Sequence, residues 1–456
     1  MPERFSRSSV HLDVTVGENP SREVPDAETP FQLLVVGDFS GRANRGLVAP
    51  LAGRHPVRVD CDNLDETMAH MGVALNLPGM TLPFRDLDDF HPDRIYRTAE
   101  PFRKLEDSRD RPPREASPAP KPAAAPARPL EPKPGQSLLD QMIEAEEPIT
   151  PTRAAQPGTL AAFIEQAVAP HLERSDPGKQ QWSARVDAMA GEQMRAVLHH
   201  PQFQSIEAAW RVVQLLVQRL DPDRELRIYL LDATLQELLD DSQGFAECLA
   251  ASREPWALIA GNFAFGQSAD DAARLRTLGR IAAAIGAPFL AESQPPSEAE
   301  WGADWTALRR SAEARWIGLA LPRFLLRLPY GKATSEVESF AFEEMPESVH
   351  PHYLWGNPAF ACACRLGEAF RNEGWNLRPG RGQITGLPLH VYQEDGESVA
   401  KPCAEVLLSE RDAEFLLENG LIPLASMKDQ DSILLLRIQS IADPLAPLSG
   451  RWATGR

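Results

Sequence analysis

Between residues 226 and 322 the sequence repeats one pattern: a short apolar run, then a helical period. The runs are LRIYLL (226–231), WALIA (256–260), PFLAE (288–292) and WIGLALP (316–322). Helical patterns at 234–249, 269–286 and 304–314 separate them. A chain built this way is confined to right-handed crossovers and a mostly parallel sheet. The runs barely alternate in polarity, as expected of strands covered on both faces. The predicted fold class is therefore α/β, a mostly parallel sheet flanked by helices.

A smaller α/β unit is expected ahead of it, over residues 31–105. FQLLVVGDFSG (31–41) reads as a buried strand closed by a turn, and VRVD (57–60) as a short second strand. Asp62 or Asn63 can cap a helix carrying Leu64, Met68 and Met71. TLPF (81–84) and LDDFHPDRIYR (87–97) follow. Residues 1–30 read as a polar arm in which HLDVTV (11–16) alternates and can pair with a sheet edge.

Nine prolines fall between residues 112 and 134, so 106–136 reads as an extended polyproline spacer between domains. SLLDQMIEAEE (137–147) follows it. Ser137 and Asp140 form a helix-start signal, Leu138, Leu139, Met142 and Ile143 share one face, and acids fill the other. So short a helix is marginal alone. It reads either as a docking helix that orders in a partner's groove or as a segment folded back on its own domain.

The large α/β domain is expected over 158–440. Helical patterns cover 158–169 and 180–198, and His199-His200-Pro201 is a turn before the next helix. In that helix, 201–220, Phe203, Ile206, Trp210, Val213, Leu216, Val217 and Leu220 make one apolar stripe. Residues 321–360 include Pro322, Pro329, Pro351 and Pro358 and cannot be a continuous helix. Their aromatic content (Phe324, Phe340, Phe342, Tyr353 and Trp355) argues for a packed irregular segment rather than a mobile lid. A helix at 357–373, strand candidates at 387–393 and 432–438, and a helix at 409–418 ending on Asn419-Gly420 complete the domain. Residues 441–456 read as a polar tail.

The net charge of −18 excludes a general nucleic-acid or anionic-membrane binder. Five scattered cysteines suggest reduced thiols and a cytoplasmic location, with Cys362 and Cys364 as small core residues. No apolar signal region opens the chain, and no apolar run is long enough to span a membrane. The strand ends carry Asp232, Gly261-Asn262, Glu292 and Pro322-Arg323, where open parallel sheets bind ligands. None follows a phosphate-loop, nucleophile-elbow or metal-ligand pattern. Gly331-Lys332-Ala333-Thr334 imitates the end of a phosphate loop, but Leu326 stands where its first glycine belongs. Gly37–Gly41 reads as a strand-ending turn, and Asp60, Asp62 and Asp65 as capping and solvated acids. No catalytic residue, cofactor or metal is therefore predicted. Asp232 and Arg323 are expected to form a structural ion pair, or, as an enzyme-like alternative, to bind a small anion or sugar.

Five motifs in order carry a family resemblance: L-H-H-P-x-F-Q-x-x-E-x-x-W-R (198–211), E-P-W-x-L-I-x-G-x-F-x-F (254–265), L-P-R-x-L-x-R-L-P-Y-G (321–331), F-x-F-E-E (340–344) and H-Y-L-W-G-N-P-A-F (352–360). They resemble the large sheath subunit of the type VI secretion system (TssC/VipB-like). G-D-F-S-G (37–41), the aspartate-rich run 59–65 and F-H-P-D-R-I-Y (90–96) resemble its small sheath subunit (TssB/VipA-like). The resemblance implies a fusion of the two, a structural protein whose copies stack around an inner tube of hexameric rings and contract. It implies as partners other sheath subunits, the tube protein, baseplate proteins and an AAA+ disassembly ATPase, the last docking on 137–147. It also implies that Trp210, Arg211, Arg323, Arg327, Tyr330 and Trp355 fix packing or neighbour contacts. The family's large subunit continues with a further C-terminal segment that helps interlock neighbours, and the small-subunit part is shortened here. A capping, nucleating or baseplate-attaching accessory of the sheath is the alternative expectation.

Overall fold

The computed structural model describes residues 24–110, 177–296, 301–394 and 396–452. Residues 104–187 form one unit, and residues up to 103 together with 188 onward form the other. Of the first unit, only the ends of two helices are described. There Arg109 Nε donates to Ser183 Oγ (3.0 Å), and Trp182 Nε1 donates to the Ser108 carbonyl (2.8 Å).

The larger unit begins with β1 (Phe31–Gly37), α1 (Arg42–Arg45), β2 (Val57–Val59) and α2 (Leu64–Met71). A hairpin of β3 (Val73–Leu77) and β4 (Met80–Phe84) follows, then α3 (Pro92–Thr98) and α4 (Glu100–Asp110). After α5 (Pro177–Leu198) and α6 (Pro201–Leu220) comes β5 (Leu226–Asp232), then α7 (Leu235–Asp240) and α8 (Ser242–Ala250). The single helix expected over 234–249 is thus broken, because Asp241 caps the second piece by accepting from the Gly244 N–H. Next are β6 (Trp256–Phe265), α9 (Ala269–Ile285), β7 (Phe289–Ser293), α10 (Ala303–Arg309) and β8 (Ile317–Leu321). The remainder holds β9 (Phe324–Leu325), β10 (Trp355–Gly356), α11 (Ala359–Glu373), β11 (Gly382–Ile384), β12 (His390–Glu394), β13 (Glu397–Lys401), α12 (Glu410–Glu418), β14 (Ile422–Ser426) and β15 (Ile433–Leu435).

Nine strands form one sheet in the order β11-β15-β14-β8-β7-β6-β1-β5-β2. The pairs from β14 through to β5 are parallel, and the strands outside them are antiparallel. One face of the sheet, including Leu34, Val36, Ile259 and Leu319, packs against residues of α7, α8, α9 and α10 such as Leu238, Phe245, Leu278 and Trp305. On the other side of β1, Phe31 meets Phe370 of α11 at 4.9 Å between ring centroids and Trp375 at 5.7 Å. Cover on both faces explains why β1 is buried at every position.

Three observations depart from the sequence reading. First, residues 31–105 read as a unit of their own, yet β1 is an interior strand of the common sheet, parallel to both β5 and β6. Second, β14 was not expected, because Pro423 sits inside it. It is accommodated at the last pairing position with β8, opposite Leu321. Third, residues 441–452 are not a polar tail. Ile441, Leu448 and Trp452 are buried, and the Ile441, Asp443 and Ser449 N–H groups donate to the carbonyls of Ile317, Arg309 and Arg315. Arg451 ends this strap by donating to the Trp256 and Ile285 carbonyls (3.2 and 2.7 Å).

Candidate functional site

Two charged clusters join the N-terminal segment to the rest of the sheet. The first fills the crevice at the carboxyl ends of β1 and β5. Gly41 turns the chain with φ of 77°, and a Cβ there would collide with the Ala74 carbonyl oxygen. The turn aims the Phe39 and Ser40 N–H groups at Asp232 Oδ1 (2.8 and 3.1 Å), while Ser40 Oγ donates to Oδ2 (2.7 Å). Arg42 adds a longer contact to Asp232 and a close one to Glu237 (3.5 and 2.9 Å). Arg54 also reaches Glu237 (2.5 Å). Burial pushes the Glu237 carboxyl up, but the bonds from Arg54, Arg42 and the Thr234 N–H outweigh it and hold its pKa at about 2. A crevice that in other parallel sheets admits a ligand is here closed by the chain's own side chains.

The second cluster is organised by Arg327. Its guanidinium donates to Glu207 (Nε to Oε1, 2.7 Å) and bidentately to Glu344 (2.7 and 3.0 Å). Both carboxylates are fully buried, on α6 and in the segment after β9. Arg211, one turn beyond Glu207, donates to the same Oε1 (2.7 Å) and to the Tyr330 hydroxyl (3.1 Å). Tyr330 lies under Arg327, 4.2 Å from guanidinium carbon to ring centroid, and its N–H donates to Glu344 (2.7 Å). Burial pushes the Tyr330 hydroxyl up to about 12. Burial works against Glu344 ionising, but the charge of Arg327, then His199 and the bonds from Arg327 and Tyr330, hold it down at about 2. Two arginines against two glutamates compensate a set of charges that could not be buried singly.

The F-H-P-D-R-I-Y segment closes over this network. The His91 ring stands edge-on to Tyr330 (4.9 Å), and Tyr96 stacks on Phe340 (4.8 Å). Asp93 accepts from the Glu338 and Ser339 N–H groups (3.2 and 2.8 Å). Trp210 makes the matching contact from α6, donating to the Phe39 carbonyl in the G-D-F-S-G turn (2.8 Å).

The expected pairing of Asp232 with Arg323 does not occur. Asp232 is used by the 39–42 turn, and Arg323 binds Glu405 (2.6 and 2.8 Å) with Glu292 at 4.0 Å. The strand ends lie at different places along the sheet, with β1, β6 and β7 between β5 and β8. Arg211, Arg327 and Tyr330 come together as one site, whereas Trp210 contacts Phe39 in the turn after β1. Trp355 is buried elsewhere, pairing with Leu325 across β9–β10. Leu138, Leu139, Met142 and Ile143 lie outside the described residues. The sequence reading missed Glu207 and Glu344 as individual residues. Glu207 carried a signal, since it lies between Phe203 and Trp210 on the apolar stripe of α6, where a carboxylate needs a buried cation. Among the described residues no three His, Cys, Asp or Glu side chains converge as metal ligands.

Both halves of this arrangement match known sequence families. Residues 180–299 and 296–442 match the family described as EvpB/VC_A0108, tail sheath N-terminal domain (VipB), and residues 3–112 match the family described as type VI secretion system VipA, VC_A0107 or Hcp2. The chain belongs to the type VI secretion tail-sheath family, with small-subunit and large-subunit sequence in one polypeptide. A relative, the type VI secretion system sheath protein TssC1 of Pseudomonas aeruginosa, is 32% identical over 302 residues. The match covers 57% of this chain and 61% of that relative, so the chain spans less than two thirds of the relative's length.

Proposed function

We propose that the protein is a structural subunit of a type VI secretion contractile sheath that polymerises around an inner tube and supports contraction-driven delivery. One observation carries this reading: the strand from the VipA-like segment lies inside the sheet of the VipB-like segment, so one chain supplies a composite sheath protomer. A machine of this kind needs rigid bodies that repack against one another rather than a reactive centre. The closed crevice and the fully paired network around Arg327 suit such a body.

The tube protein, baseplate proteins and an AAA+ ATPase are its proposed partners, and the cytoplasm its proposed location. Among the described residues no helix is long and apolar enough to cross a membrane. Residues 137–147 are the proposed ATPase-docking helix, and their deletion is expected to block ATPase-driven disassembly while leaving assembly intact. Negative-stain microscopy of the purified chain, alone and with a tube protein, tests the main reading. Tubes are the expected result. Discrete rings or caps on tube ends would favour the accessory role, and monodisperse monomers under both conditions would contradict both.

A further inference from the structure

α12 packs on β14 and buries Ala413 and Leu416. Beside it a groove of about 440 Å³ stays open. Leu408, Ala413 and Leu417 line it from the α12 side, and Ala425 of β14 and Leu436, just past β15, line it from the sheet side. Glu410 and Glu414, one helical turn apart and exposed, stand at its rim. Val406, Leu407, Phe415 and Met427, which flank these residues in sequence, are exposed as well. Bare apolar side chains gathered in one stretch mark a docking surface rather than a solvated face.

The rim selects what fits. Two carboxylates above an apolar floor favour a helix with cations at the same spacing and small side chains between them. α9 presents such a face. Arg276 and Arg280 stand one turn apart, and Ala273, Thr277 and Ala284 share their side of the helix. Arg276, Arg280, Glu410 and Glu414 have no ion-pair partner among the described residues. Arg94 and Arg97 of α3 are also unpaired, but they are three apart on a seven-residue helix and do not match that spacing. Leu278 of α9 and Leu416 of α12 are fixed in the same hydrophobic core, so the outer face of α9 cannot turn into the groove of its own chain.

We propose that the α12 groove receives α9 of a second copy, with Arg276 and Arg280 set against Glu410 and Glu414. The contact joins two different surfaces, so it is heterologous and propagates from copy to copy unless its rotation closes a ring. It rests on the sheath reading above and names surfaces through which successive copies meet.

In the full chain, Cys61→Ser leaves only buried cysteines. Differently tagged Arg280→Cys and Glu414→Cys chains in that background are mixed and oxidised with copper phenanthroline. Disulfide-linked heterodimers are expected, and equal yields of homodimer from either chain alone would overturn the proposal. Sedimentation reads assembly. Arg276→Glu with Arg280→Glu, or Glu410→Arg with Glu414→Arg, should cut the pelleted fraction about tenfold, as like charges then face each other. The chain carrying all four substitutions keeps the native net charge and should recover, which a folding defect would not allow. Undiminished assembly in either reversal, or no recovery in the fourfold variant, would overturn the contact while wild-type tubes leave the sheath reading standing. Loss in the α12 reversal alone would assign the groove to another occupant and overturn it equally. A wild type that never polymerises while the mixed cysteines still cross-link counts against the sheath reading and supports the contact.

Discussion

Arg327 donates to two buried carboxylates and stacks over a buried tyrosine, so its substitution changes charge balance as well as packing. Arg327→Met leaves Glu344 without its cation and Glu207 with Arg211 alone. Removing one partner of a buried ion pair costs about 3–5 kcal/mol, and urea denaturation should show a loss of that order. Adding Glu207→Gln and Glu344→Gln should recover part of it, since the penalty lies in the uncompensated charge. The carboxylates also set the acid limit. Glu344 and Glu237 have folded pKa values of about 2 against an ordinary 4.5, so the unfolded chain binds more protons in that window. Their contribution is complete above pH 4.5 and is lost as pH falls towards 2. Glu292 works in the opposite sense. Burial raises its pKa to about 7, so its contribution is complete below pH 4.5 and is lost as pH rises through 7. Stability measured by urea against pH should therefore climb from pH 2 to 4.5, and Glu292→Gln should remove a declining component between 4.5 and 7. If that variant leaves the profile between pH 4.5 and 7 unchanged, Glu292 does not titrate in this range. At this scale the sequence displayed which residues would be buried but not which would meet. Arg323 and Asp232 read as partners for each other at strand ends, but their actual partners, Glu405 and the 39–42 turn, lie 82 and about 190 residues away.

The elements that were legible are those whose signal is local. The stripe on α6, the apolar runs of β5, β7 and β8, and the Asn419-Gly420 end of α12 each announce themselves within a few residues. What was hidden depends on distant pairing. β1 reads as a buried strand, but nothing within residues 31–37 states that β5 and β6 flank it. β14 hides behind Pro423, and the 441–452 strap hides Leu448 and Trp452 among polar neighbours. The turn after β1 is the element that converts local sequence into the long-range contact. Gly41 supplies the left-handed backbone that presents Phe39 and Ser40 to Asp232. Gly41→Ala should cost more than about 1 kcal/mol, because both the φ angle and the Ala74 carbonyl oppose a side chain. A thermal midpoint equal to that of the wild type would show that the turn is less constrained than this.

At the scale of the whole molecule, sequence from two sheath families shares one hydrophobic sheet. The VipA-like segment contributes an interior strand, an edge strand, the crevice-filling arginines Arg42 and Arg54, and the F-H-P-D-R-I-Y cover over Tyr330 and Phe340. Without β1, both β5 and β6 would present unpaired edges in the middle of the sheet, a state prone to aggregation. The covalent connection is therefore expected to fix the ratio of the two parts rather than to hold them together. The direct test is to place a specific protease site within the proline-rich residues 118–130, cleave the purified protein, and follow both fragments by size-exclusion chromatography. The account predicts that the fragments co-elute as one species with an unchanged thermal midpoint and separate only on unfolding. Elution of a free, folded N-terminal fragment under native conditions would contradict it.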